Sequence, residues 1–272
     1  THRYTLFPYT TLFRSERADA ALPALTLPPG PAGRRLQASA ALLALGWREA
    51  ARAELSDLLR RRPPAAAAAP LAELAAWAGE ADLPFRAARD LLGATPRTAR
   101  WLHPDPLPAL EPLARAAGVD PDLLRAIIRK ESAFRPDARS AAGAVGLVQL
   151  VPPTAARLSA LAGLPPGPPA LEDPAVSAGL GAHYLALLVD RFGGEGPALA
   201  AYNAGPAVAA GWARDRAGQP LDEWVEGIPY KETRGYVKAV LAAREAYRRL
   251  AGLPPLVDPA QPVAQPGPGI AF

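Results

Sequence analysis

Apolar residues return every three or four positions over long stretches of this chain, with proline and glycine between the stretches, and no other feature narrows the fold so far. Between Arg34 and Leu92 the recurring positions include Leu42, Leu43, Leu45, Ala50, Ala53, Leu55 and Leu58. This is the period of an amphipathic helix rather than of a strand. The pattern breaks at RRRPP and resumes in LAELAAWAGEADLPFRAARDLL, residues 71–92. EAARAEL (49–55) resembles RAARDLL (86–92), and LALGW (43–47) loosely matches LAAWAGE (74–80). The offset, roughly 33 to 37 residues, is that of helix-turn-helix repeats of the tetratricopeptide kind. Two such units are few for a solenoid, so residues 16–92 are expected to be the end of a longer helical array; an Ala-rich composition that mimics a repeat is the alternative.

A second helical block follows. GVDPDLLRAIIRKESAF places Asp120 as N-cap and Pro121 at the first helical position, a strong helix start. Further helices are expected from Asp173-Pro174 to Gly193-Gly194, through ALAAYN to Gly205-Pro206, and from about Glu232 to Leu250. The expected class is all-α. Residues 93–109, GATPRTARWLHPDPLPA, are Pro-rich and unpatterned and read as a linker. Residues 253–272 form a Pro-rich tail without a periodic apolar face, expected to be extended or disordered. The main block is thus residues 110–252.

With 272 residues, half of them hydrophobic, the chain can bury a substantial core. It has no Cys and only His2, His103 and His183, so disulfides, thiol nucleophiles and thiolate metal sites are excluded, and neither a metal nor a cofactor is expected. The net charge of +4 is spread along the chain, and the densest basic run, Arg60-Arg61-Arg62, ends a helix. No basic run interleaved with aromatics marks a nucleic-acid partner. No run reaches the roughly 18 apolar residues needed to span a bilayer. The chain contains no Met and is read as a fragment or processed chain; THRYTLFPYTTLFRS (1–15) resembles a translated sequencing-adaptor tail and is set aside. The lack of an export signal therefore says nothing about export.

The chemistry concentrates on one carboxylate. Leu124, Ile127, Ile128 and Glu131 stand at i, i+3, i+4 and i+7, so the acid shares the apolar face of its helix while Arg129 and Lys130 point elsewhere. Burial penalises a carboxylate, so the Glu131 pKa should rise until the group holds a proton near neutral pH. A general acid for glycoside cleavage fits, although that chemistry usually employs a second carboxylate. The acids near it in sequence are Asp137, Glu172 and Asp173, the last committed to a helix cap. A helix-end glutamate paired with an arginine is the alternative from the residues alone.

ESAFRPDARSAAGAVGLVQLVPPTA resembles the signature of the lytic transglycosylases of the soluble type, which cleave peptidoglycan glycan strands. AAYNAGP (200–206) and GIPYKETRGYVKAVL (227–241) resemble that family's second and third motifs, in the expected order. The resemblance spans about residues 107–250 and implies a lysozyme-like catalytic domain preceded by a helical superhelix. It implies Glu131 as a lone catalytic acid that protonates the glycosidic oxygen between N-acetylmuramic acid and N-acetylglucosamine. The same group then acts as base toward the muramoyl C6 hydroxyl, giving a 1,6-anhydro product. Charge at C1 would be met by the sugar's own acetamido group.

Further roles come with the resemblance. Ser140 would contact the substrate acetamido group, or cap a turn. Gln149 would bind sugar hydroxyls, or tie down its loop. Tyr202 matches the tyrosine that hydrogen-bonds the acid. Asn203 would line the cleft or cap the turn into Gly205-Pro206, and Glu232 and Tyr236 would lie near the glycan and its peptide. Val237, Val240 and Leu241 are core. Val148 and Val151 stand where the family usually carries Met, leaving an apolar but shorter cleft wall, and the Pro-rich loop AGLPPGPPALEDP adds a shape the family does not fix. The implied partner is a peptidoglycan strand and the implied location the periplasm or cell envelope. A catalytically inactive peptidoglycan-binding scaffold and a hydrolytic muramidase of the goose-lysozyme type are the competing readings.

Overall fold

A computed structural model describes residue 22 and residues 24–80, 82–95, 98–104, 110–162 and 168–268. The adaptor-like tail and part of the Pro-rich loop fall outside these residues. Among them the chain is helical, with isolated bridges and no strand, as the apolar period requires. It divides into two compact units between Pro108 and Ala109.

The N-terminal unit is built from two helical pairs. Helices α1 (Pro31–Ala44) and α2 (Arg48–Arg60) form the first, and α3 (Ala68–Trp77) and α4 (Asp82–Ala87), which runs on into a π-helical turn to Leu92, form the second. Leu36, Leu55, Leu71, Leu74 and Leu83 are all but inaccessible to solvent and form its core. Three positions expected on the buried face are not on it: Leu45, Ala50 and Ala53 are exposed, and Ala51, Leu55, Leu58 and Leu59 carry the contact of α2. Leu45 is the C-cap of α1, already outside the helical register. The segment expected to be an unpatterned linker contains one helical turn, α5 (Ala99–Leu102), with Trp101 and Leu102 buried. Its order comes from hydroxyls: Thr98 Oγ1 donates to Gly93 O (2.8 Å) and accepts from Thr95 N (2.8 Å). Such side-chain-to-backbone bonds leave no apolar period to read.

The C-terminal unit contains α6 (Leu110–Ala116), α7 (Pro121–Glu131), α8 (Pro152–Leu161), α9 (Pro174–Phe192), α10 (Glu195–Ala204), α11 (Pro206–Asp215), α12 (Leu221–Glu226) and α13 (Lys231–Leu250). Asp120 caps α7 by accepting from Asp122 N, and Asp173 caps α9 by accepting from Ala175 N and Val176 N. α13 is the long element against which both α7 and α10 pack. A buried guanidinium fixes their far ends: Arg244 donates from Nε to Asp120 Oδ2 (2.7 Å) and from Nη1 to Glu195 Oε2 (2.6 Å). Arg244 thereby ties the N-termini of α7 and α10 to the middle of α13.

The described part of the tail, to residue 268, is extended but not loose. Leu221 N donates to Gln261 O, Val263 N to Gln219 O, Gly218 N to Val263 O and Gly267 N to Arg191 O. Val263 is buried. These are backbone bonds, which proline-rich composition hides from a reading based on side chains.

Candidate active site

Glu131 is the last residue of α7, behind a face of Leu124, Ile127 and Ile128 from which solvent is excluded. The helix stops abruptly there. Ser132 turns its hydroxyl back to Ile128 O (3.1 Å), and Ala133 and Phe134 both take positive φ, 52° and 64°. Non-glycine residues with positive φ are costly and collect where surrounding structure holds them. Among the described residues there are four, and Ala133, Phe134 and Gln149 lie either in the turn after the acid or in the loop that follows.

That loop is organised by its own backbone. Gly146 N donates to Ala138 O and Val145 N to Leu150 O, each at 3.0 Å. Gly146 has φ +85°, and a Cβ there would come within 2.0 Å of Leu171 O, so only glycine fits. Gln149 donates through Nε2 to Ala138 O (3.0 Å) and Gly146 O (2.9 Å), the loop-tying role. Ser140 is exposed, and its Oγ accepts from Ala144 N (3.0 Å), the turn-capping role. Both side chains keep acceptor capacity beyond these bonds.

Two tyrosines border the acid. Tyr202 does not hydrogen-bond the acid: its hydroxyl donates to Val148 O (2.8 Å). The phenol thereby ties the loop to α10. The phenol that addresses Glu131 is Tyr236, on α13. It approaches the carboxyl closely enough to favour its anion, but its buried hydroxyl completes no hydrogen bond of normal geometry. Burial pushes Glu131 up to about 7; Tyr236 and the Lys130 charge oppose that rise, and Glu232 adds to it. Both phenols are held well above their ordinary range, first by burial and then by the charge of Glu131.

The remaining positions sort clearly. Asn203 Oδ1 accepts from Thr233 Oγ1 (2.7 Å), joining the end of α10 to the first turn of α13, rather than capping the turn at Gly205. Glu232 is exposed at the start of α13. Val237 and Val240 are core. Val148 is not cleft wall: it is fully buried, so close to Gly181 on α9 that a Cβ there would meet its Cγ1 at 2.7 Å. Tyr184 was missed by the sequence reading. It packs on Tyr202 with ring centroids 5.2 Å apart, backing the site from α9, and Gly179 and Gly181, in the turn before it, were the available signal. Glu131, Tyr202 and Tyr236 are thus brought together, with Glu232 close enough for its charge to be felt, while Ser140 and Gln149 hold the loop.

A half-buried acid on α7, backed by aromatic rings from α9, α10 and α13, coincides with a family match: the transglycosylase SLT domain matches residues 110–225. Residues 110–225, somewhat less than half of the chain, thus resemble the transglycosylase SLT domain. A second match, to the soluble lytic transglycosylase helical domain, covers residues 227–255, on α13. The soluble lytic murein transglycosylase of Salmonella typhimurium is 39% identical over 143 residues, covering 51% of this chain and 22% of the relative. The Escherichia coli enzyme of that name is 41% identical over 132 residues, covering 47% of this chain and 20% of the relative. The chain therefore spans about a fifth of the length of these curated relatives. Among solved structures, an inactive mutant of the lytic transglycosylase Slt from Pseudomonas aeruginosa matches with a TM-score of 0.70 at 32% identity, covering 86% of this chain and 39% of that one. The 70 kDa soluble lytic transglycosylase of Escherichia coli matches at 0.68 and 29%, covering 85% and 39%. Both matches extend beyond the SLT domain into the N-terminal helices, in keeping with an all-α chain of helical repeat and lysozyme-like domain.

Proposed function

We propose that the SLT domain cleaves peptidoglycan glycan strands between N-acetylmuramic acid and N-acetylglucosamine without water, leaving 1,6-anhydromuramoyl ends. The observation that carries this reading is the Glu131 carboxyl, raised to about 7 by burial. A group poised there donates a proton to the glycosidic oxygen and, once ionised, takes one from the substrate's C6 hydroxyl. Tyr236, nearest its carboxyl, favours the anion left after the first step. The names of the relatives, lytic murein transglycosylases, support the substrate class. They also support an envelope location, as do relatives named membrane-bound lytic murein transglycosylase C. No helix among the described residues is long and apolar enough to cross a membrane.

One observation favours a second reading. Glu232 is an exposed carboxylate whose charge reaches Glu131, and a carboxylate so placed can activate water. Hydrolysis would then leave reducing muramic acid. Mass analysis of muropeptides released from purified sacculi separates the two: products lighter by one water support transglycosylation, and reducing ends as the main product exclude it. A non-catalytic scaffold would release neither.

A further inference from the structure

Tyr230 is 54% exposed, and among the described residues of the C-terminal unit it is the only aromatic side chain classed as exposed. Its exposure is not slack. The loop beneath it is pinned by Arg234, whose Nη1 donates to Glu226 O and to Ile228 O, both at 3.1 Å, and Ile228 is fully buried. The ring itself is braced by Trp212 of α11, at a centroid distance of 5.0 Å and nearly perpendicular, 79°. Trp212 is fixed in turn, its carbonyl accepting from Trp224 Nε1 at 3.3 Å. An edge-to-face pair engages only part of each ring's surface, and here the remainder of Tyr230 is open to solvent.

The position matters as much as the exposure. Tyr230 is the N-cap of α13, two residues before Glu232, whose charge Glu131 feels, and three before Thr233, which is bonded to Asn203 beside Tyr202. The rigid ring thus stands at the end of α13 that borders the acid. A pyranose presents axial C–H groups on one face and hydroxyls around its rim. That face is apolar and weakly positive, complementary to the negative face of an aromatic ring. Stem peptides, by contrast, are recognised through their charges. The charged residues that follow Tyr230 directly, Lys231 and Glu232, are both exposed and of opposite sign, and together offer a peptide carboxylate no net field.

We propose that Tyr230, braced by Trp212, is a stacking platform for a pyranose ring of the glycan strand at a subsite beside the acid. The proposal rests on reading the Glu131 cleft as a glycan cleft. It is tested in the full chain carrying Glu131→Gln, so that ligand is bound and not consumed, with chitohexaose as the glycan probe and a free stem tetrapeptide as the peptide probe. Tyr230→Ala should weaken chitohexaose binding about tenfold, the scale of one aromatic contact, while Tyr230→Phe and Tyr230→Trp stay near the parent. Tetrapeptide binding should not change among the variants. With Glu131 intact, the loss in Tyr230→Ala should fall on KM for sacculi more than on kcat. Unaltered chitohexaose affinity in Tyr230→Ala, or an equal loss in Tyr230→Phe, overturns the platform, and a loss confined to the tetrapeptide overturns the glycan assignment. The two readings fail separately. Intact lysis with Tyr230-independent binding removes the platform alone, whereas Tyr230-dependent chitohexaose binding without lysis by the chain removes the activity alone.

Discussion

A carboxyl held at about 7 costs the folded state whenever it is ionised. The folded Glu131 pKa lies above its ordinary 4.5, so its contribution to stability is fully present below about pH 4.5 and is lost as pH rises through about 7. Glu131→Gln removes the titration. Relative to this variant, the parent chain should lose up to about 3 kcal/mol between pH 4.5 and 7.5, read by urea unfolding at both ends of the range. A flat difference across that range would mean that the acid is solvated. Activity requires the protonated form first, so kcat should decline above about pH 7, and the Gln variant should be inactive while still binding glycan. The two phenols make opposite forecasts. Tyr202→Phe breaks a formed bond to Val148 O and should cost roughly 0.5–1.5 kcal/mol of stability. Tyr236→Phe deletes a buried hydroxyl that completes no hydrogen bond of normal geometry, so below about pH 7, where Glu131 is protonated, stability should hold or rise. The Glu131 pKa should rise further, because Tyr236 opposes its elevation, and the alkaline limb of kcat should move to higher pH. A limb moving the other way would show that Tyr236 acts on the protonated acid. Burial of Glu131 was legible in the sequence because four positions on one helical face fix it. Which phenol would turn to the acid was not, since Tyr202 is engaged by the backbone carbonyl of Val148, 54 positions away, and a backbone acceptor leaves no residue signature.

Glu131, Tyr202 and Tyr236 come from α7, α10 and α13, and the first two of these helices are each tied to the third. Near the acid, Thr233 bonds Asn203; at the opposite ends of α7 and α10, Arg244 bonds Asp120 and Glu195. Arg244 is 4% exposed in its side chain, so removing it strands carboxylates in a poorly solvated place. Arg244→Met should destabilise the unit by about 3–5 kcal/mol, the usual result of breaking one side of a buried pair. Glu195 is already held above the ordinary carboxylate range, first by burial, and would rise further without the guanidinium. Adding Glu195→Gln to Arg244→Met should therefore restore part of the loss, as measured by thermal unfolding. If the double variant is no more stable than the single, the cluster contributes by packing and not by charge. The helix starts at Asp120-Pro121 and Asp173-Pro174 were readable because caps act over two or three residues. The Arg244 cluster was not readable, because Arg244 and Asp120 are 124 positions apart and nothing local pairs them.

At the scale of the whole molecule, the division between Pro108 and Ala109 leaves each unit with its own core: Leu36, Leu55, Leu71 and Leu74 in one, and Leu124, Ile127, Leu185 and Trp224 in the other. A unit with its own closed core should fold when its covalent connection is cut. Residues 109–272 expressed alone should unfold in one cooperative transition and keep the Glu131 titration. The C-terminal segment belongs to that unit, since five backbone bonds and the buried Val263 dock it against the α11–α12 connection, the start of α12 and the end of α9. A chain ending at residue 252 should therefore be the weaker of the two. Exposing the surface under Val263 costs roughly 2 kcal/mol, and for a unit of this size that lowers the thermal midpoint by about 4–8 °C. Lysis of sacculi at low temperature should survive the truncation, because none of the docked residues touches Glu131, Tyr202 or Tyr236. Equal midpoints for the two lengths would show that the segment adds no stability, and loss of lysis with an unchanged midpoint would place it in the substrate's path.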